Sequence, residues 1–122
     1  MTRGRTGRFS DGDADADRAE ELTRAAINAE FPRKVGGAYV IGTRTPEQVM
    51  LVPYAGRADD DMAARLRTHI GNYDAFSYVL ADSPKQAYEL HCEIYHELKP
   101  SKNPQHPHKP SGVECVCPVC GR

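Results

Sequence analysis

Apolar residues recur along this chain with two periods, and turn-forming residues bound each stretch. Ala19, Leu22, Ala25, Ala26 and Ala29 fall at helical spacing. The acid-rich segment that starts at Asp13 precedes them and suits the positive end of a helix dipole. Phe31-Pro32 ends that helix. After Gly36 and Gly37 the run Ala38–Ile41 predicts a strand, and a polar turn at Thr45-Pro46-Glu47 leads to a second strand, Val49–Tyr54. Two strands joined by a short loop predict an antiparallel hairpin. Asp59, Asp60 and Asp61 then open a second helix carrying Ala63, Leu66 and Ile70 on one face, which stops at Gly71-Asn72. Ala75–Leu80, with Phe76, Tyr78 and Val79, reads as a third strand.

The sharpest helix start is Ser83-Pro84-Lys85-Gln86. Ser83 can cap, Pro84 suits the first helical position, and Gln86 completes a capping box. This third helix runs through Ala87, Leu90, Ile94 and Leu98 to Lys99-Pro100. Beyond it Pro100, Pro104, Pro107, Pro110 and Pro118 argue against further long elements. The order predicts an α+β fold: a small antiparallel three-stranded sheet flanked by helices, with a C-terminal tail. Residues 1–12 read as a disordered basic arm, 13–103 as the α+β domain with an extra N-terminal helix, and 104–122 as a Pro-rich tail.

The chain has 122 residues, enough for one domain. Its apolar runs are far shorter than the roughly 20 residues that span a bilayer, so no membrane association is expected. No secretory signal is visible in the first residues, and a cytoplasmic protein is expected. Charge is distributed in blocks: Arg3, Arg5 and Arg8 stand without acids, seven acids follow by residue 32, and the rest is close to neutral. The net charge of −1 lacks the basic excess of a nucleic-acid coat. Any nucleic-acid contact must be localised.

The cysteines carry the first chemical signal. Cys92 and His96 lie four apart on the third helix and so share a face, and Cys117-Pro118-Val119-Cys120-Gly121 is a compact knuckle. In a reducing compartment these pairs predict a structural zinc held by Cys92, His96, Cys117 and Cys120, which would pin the tail to the third helix. Cys115 can replace Cys117, and His106 or His108 can replace His96.

The second signal spans the hairpin and the helix after it. Gly37-Ala38-Tyr39 lies on the first strand, Tyr54-Ala55-Gly56 on the second, and Arg65 and His69 follow at one-turn spacing. With Arg65-Leu66 and Ala81-Asp82-Ser83, this order resembles the GIY-YIG nuclease family over roughly residues 35–103; the tail resembles a subset of such domains with an extra zinc knuckle. The resemblance implies a metal-assisted endonuclease acting on DNA, with Mg²⁺ or Mn²⁺ as catalytic cofactor. It places Tyr39 and Tyr54 at the water and the scissile phosphate, Arg57 near that phosphate, Arg65 on its oxygens, and His69 as proton-transfer partner. Such a reaction wants fixed cations and a proton acceptor, because charge develops on the phosphate oxygens and leaving group.

One position departs from the family pattern. The metal-holding Glu is expected four residues after Ala87, where this chain has His91; Glu89 and Glu93 each stand two residues away, about 200° around the helix. Either His91 holds a softer metal, or a local shift brings Glu89 or Glu93 into the site, or the chain keeps the fold without hydrolysis. The last case would make it a non-catalytic nucleic-acid or protein interaction module stabilised by zinc. The family often has an Asn that frames the site, and Asn103 corresponds to it.

Overall fold

The computed structural model describes residues 13–15, 19–46, 49–99, 101–103 and 105–122. The basic arm expected at 1–12 lies outside the described residues, apart from which the chain runs β1 (Asp13–Asp15), β2 (Glu20–Glu21), α1 (Arg24–Glu30), β3 (Gly36–Arg44), β4 (Val49–Ala58), α2 (Met62–Arg67), β5 (Ala75–Ala81) and α3 (Pro84–Leu98). The fold is α+β. Its sheet is antiparallel with the order β1-β4-β3-β5-β2, so the three expected strands form the centre and two short edge strands extend it.

Both added strands come from the stretch whose spacing suggested a long first helix. Asp13–Asp15 pairs with Val49–Leu51 of β4, and Glu20–Glu21 pairs with Ala75 and Phe76 of β5. Helix α1 therefore starts only at Arg24, where the Thr23 hydroxyl accepts the Ala26 N–H at 3.1 Å. Open backbone edges on β4 and β5 outcompete the weak helical pattern of an Ala- and Asp-rich segment, as tertiary pairing commonly does.

The hairpin forms where expected, with both strands longer than the apolar runs alone indicated. Alternation along β3 sends Tyr39 and Ile41 to one face and Ala38 and Val40 to the other. The first face packs with Phe76 against Ile27 of α1 and Met62 and Leu66 of α2. The second packs with Val52 and Ala55 against Ile94 and Leu98 of α3. The sheet is thus covered on both faces, and β3 is fully buried at its centre.

Helix α3 begins as its capping residues dictate. Ser83 Oγ accepts the Gln86 N–H at 3.1 Å, and Gln86 Oε1 reaches back to the Asp82 N–H at 2.6 Å. Lys99 closes the helix in the left-handed region at φ 47°, its N–H bonding Tyr95 O. Helix α2 is shorter than its apolar spacing suggested. It ends at Arg67, and Ile70 is instead bridged to Tyr73. The tail lies against α3, where Cys117 packs with Tyr88 and Cys92. Among the described residues, no helix is long and apolar enough to cross a membrane.

Candidate functional site

Antiparallel register sets Tyr39 opposite Gly56 and Ile41 opposite Tyr54, so Tyr39 and Tyr54 are diagonal neighbours on one face of the sheet. Their ring centroids are 6.4 Å apart. The Tyr39 ring lies directly over Gly56, where a Cβ would stand 2.4 Å from both Cζ and the hydroxyl oxygen.

His69 joins them from the turn after α2, where its N–H bonds Leu66 O at 3.0 Å. Helical spacing from Arg65 therefore puts His69 in the right place even though the helix has ended. Tyr39 Oη and His69 Nε2 are 3.1 Å apart, and the Tyr54 and His69 ring centroids 5.2 Å apart. The Arg65 guanidinium and the Tyr54 hydroxyl are within hydrogen-bonding reach of Tyr39.

Burial raises the Tyr39 phenol well above its ordinary range, and Tyr54 adds to this, against the opposing pull of Arg65. The phenol is therefore a proton donor or relay near neutral pH. Burial, helped by the Arg65 charge, lowers His69 below its usual value, so its ring is a neutral acceptor in that range.

Tyr54 and Arg65 of this cluster open onto a cleft of about 360 Å³ beside the β4 edge, where β1 pairing stops at Leu51, while Tyr39 is buried behind them and neither it nor His69 lines the cleft. Tyr54, Gly56 and Arg65 line it from one side and Arg57 and His91 from the other. Lys102, Asn103 and Gln105–His108 complete it. Among the described residues no Asp or Glu lines the cleft. Asn103 occupies the open strand edge as a neighbouring strand would: Oδ1 accepts the Ala55 N–H at 2.7 Å and Nδ2 donates to Ala55 O at 3.1 Å. Arg57 is held by Asp59 at 2.9 Å and lies 5.6 Å over the Tyr88 ring, while its Nη1 is buried without a partner.

His91 faces the cleft. One ring nitrogen donates to the Ala55 carbonyl, while Nδ1 is buried and unpartnered. Burial, with the Arg57 charge next in weight, lowers its pKa to about 4. Glu89 and Glu93 do not share this place. Glu89 is paired with Lys85 at 2.7 Å, and Glu93 is exposed on another face of α3. The local shift that would bring either carboxylate into the site does not occur, because α3 is a regular helix there and keeps the two-residue rotation.

The second cluster lies where the tail meets the end of α3. His96, His106, Cys117 and Cys120 present ligand atoms all within 4.8 Å of one another. These four can hold a metal such as zinc, and His₂Cys₂ is a set that structural zinc uses. The side chains fit such an ion. His96 Nε2 is buried with no hydrogen-bond partner. His106 Nδ1 is bonded to Pro107 O at 3.0 Å, which leaves Nε2 bare and 3.4 Å from Cys120 Sγ. Burial pushes the Cys117 thiol up, but the N–H groups of Cys120 and Val119, at 3.5 and 3.4 Å, together with His106, bring it down to about 5.

Three of the four expected zinc ligands are therefore brought together, and Cys92 is replaced by His106. Cys92 is fully buried against Tyr88 and Cys117, where burial pushes its thiol up to about 12, and it does not belong to the group of converging ligand atoms. His106 was a candidate only in exchange for His96, and helix spacing gave no signal for both. Cys115 is half-buried beside this cluster with its thiol directed at Val113 O, and His108 lines the cleft instead.

Compared with known proteins, the chain matches no family model, no curated protein and no solved structure.

Proposed function

We propose that this chain is a DNA endonuclease of GIY-YIG type, hydrolysing phosphodiester bonds in the cleft beside β4. The observation that carries the reading is the convergence of Tyr39, Tyr54, Arg65 and His69 at 3.1 Å and hydrogen-bonding reach, with Tyr54 and Arg65 on the wall of a cleft that also holds Arg57 and Lys102 and, among the described residues, no acid. Arg65 and Arg57 offer guanidinium forks to the phosphate oxygens, where charge develops in the transition state. A proton from the attacking water passes by way of the cleft-lining Tyr54 and the buried Tyr39 hydroxyl to neutral His69, and the high pKa of Tyr39 keeps a proton available for return.

The donor set does not fit Mg²⁺, which wants oxygen ligands. Mn²⁺ also prefers oxygen ligands but accepts an imidazole nitrogen, such as the bare one of His91, more readily than Mg²⁺ does. Structural zinc at His96, His106, Cys117 and Cys120 ties the tail to α3, and thiolate ligands favour a reducing compartment such as the cytoplasm.

Nicking of supercoiled plasmid in Mn²⁺, and more weakly in Mg²⁺, tests the reading. Arg65→Ala, exposed on α2, should lose about 10²–10³ in rate with an unchanged melting curve. Equal nicking by this variant would sink the assignment. A second reading, a DNA-binding module without hydrolysis, is favoured by the missing carboxylate. It predicts DNA binding that depends on Arg57 and Lys102, with no nicking in either metal.

A further inference from the structure

The metal cluster and the cleft share a residue. His106 presents Nε2 to Cys120 and also lines the cleft with Tyr54, Arg65 and His91. Its neighbours Gln105, Pro107 and His108 line the same cleft, and all four also face a second hollow of about 620 Å³ beside Tyr95. The segment 105–108 is therefore a thin wall between two open spaces.

Its support is uneven. At its start, Lys102 N–H donates to Pro53 O at 2.7 Å and Asn103 bonds Ala55 twice, so that end is fixed to β4. Among the described residues, no backbone hydrogen bond joins 105–109 to the sheet or helices. What holds the wall there is the burial of Pro107, the packing of the His106 ring on Tyr95 and His96 of α3, and the place of His106 in the metal cluster.

We propose that the metal at His96, His106, Cys117 and Cys120 positions the wall of the cleft, so that its occupancy sets the affinity of the cleft for DNA. His106 is a positioning residue in this scheme, and the inference rests on the nucleic-acid reading of the cleft. A metal bond to His106 Nε2 fixes the far end of a wall whose near end Asn103 already fixes. Without the metal, only ring packing on Tyr95 and His96 holds the far end, and the binding-competent arrangement becomes one among several. Apparent affinity falls by the fraction of time that arrangement is lost, so a wall in place a tenth of the time costs about tenfold.

Backbone amide relaxation of Gln105, His106, His108 and Lys109 in zinc-loaded and chelator-stripped protein reads the wall directly. The expected result is a loss of order at these amides on stripping, with hydrogen-exchange protection of β3 and β4 retained as the internal reference. In parallel, anisotropy of a labelled DNA duplex without added divalent ions should show about tenfold weaker binding after stripping and for His106→Ala. His106→Cys, which supplies a thiolate in place of the imidazole, should hold one zinc and restore both order and affinity.

Unchanged order of Gln105, His106, His108 and Lys109 on zinc loss overturns the proposal, as does loss of protection throughout β3 and β4, which would make the metal a global stabiliser. Zinc-loaded His106→Cys that binds DNA as weakly as His106→Ala also overturns it, since the imidazole itself would then be the contact. If zinc-loaded wild type binds no DNA, the nucleic-acid reading fails, while the relaxation experiment still decides whether the metal sets the wall.

Discussion

Tyr39 rests on Gly56 so closely that no side chain fits between them, a Cβ falling 2.4 Å from the ring and its hydroxyl. The glycine sits within β4 rather than in a turn, so its role is to admit the ring. The ring's position in turn sets the 3.1 Å approach to His69. Gly56→Ala must displace Tyr39 within a packed core, an overpacking that costs about 1–3 kcal/mol. Denaturant unfolding should show that loss together with a fall in nicking. A variant as stable and active as wild type would remove Tyr39 from the proposed chemistry.

The parts of this arrangement that follow from short-range rules were legible in the sequence. Ser83-Pro84-x-Gln86 marked the start of α3, and the two apolar runs marked β3 and β4 because alternation and capping are local. Arg65 and His69 could be placed together from spacing alone. What escaped depended on distant partners. Asp13–Asp15 and Glu20–Glu21 became strands because β4 and β5 offered unpaired edges, which no local pattern announces. His106 entered the metal cluster through a fold-back of the Pro-rich tail, and helix spacing pointed to Cys92, whose side chain is spent on packing instead. The resemblance singled out the His91 position, but neither its place on the cleft wall nor its unpartnered nitrogen could be read from local pattern.

The two buried cysteines should behave differently. Cys117 belongs to the metal cluster and Cys92 packs beneath it. Cys92→Ala should therefore keep one zinc per chain while losing stability, by an amount typical of a small core deletion. Cys117→Ser should lose the metal, and its stability should become insensitive to chelator, because ligand loss is also loss of folding free energy. Elemental analysis of both purified variants decides it. Zinc lost from Cys92→Ala as well as from Cys117→Ser would return the ligand set to the one that helix spacing suggested.

Protonation of His91 should cost stability on the acid side. Its folded pKa is about 4 against an ordinary value of 6.5, chiefly through burial. Between those values the unfolded chain holds the proton and the folded chain does not, so stability is full above about pH 6.5 and declines as pH falls toward 4. The total is about 3 kcal/mol if nothing relaxes. Urea unfolding at pH 7 and pH 5 should show a smaller drop for His91→Gln than for wild type, each zinc-loaded, since metal loss then affects both alike. An imidazole resonance of His91 that titrates at its ordinary value would refute the assignment.

The substitution His91→Glu tests what the cleft does with a cation. In the wild-type chain the position offers one bare nitrogen, no acid lines the cleft among the described residues, and Glu89 and Glu93 are turned elsewhere. A carboxylate at 91 would supply the hard oxygen donor that Mg²⁺ requires, at the place where the resemblance puts one. If wild type hydrolyses DNA, His91→Glu should move the metal preference of nicking from Mn²⁺ toward Mg²⁺. Should wild type bind DNA without cutting, the same change should bring out Mg²⁺-dependent nicking, because Tyr39, Tyr54, Arg65 and His69 are already in place. The control is Arg65→Ala combined with His91→Glu, which should be inert while folding normally. Nicking that is identical with and without the carboxylate, in both metals, would mean that the 91 position takes no part in the reaction and that any cation is held elsewhere in the cleft.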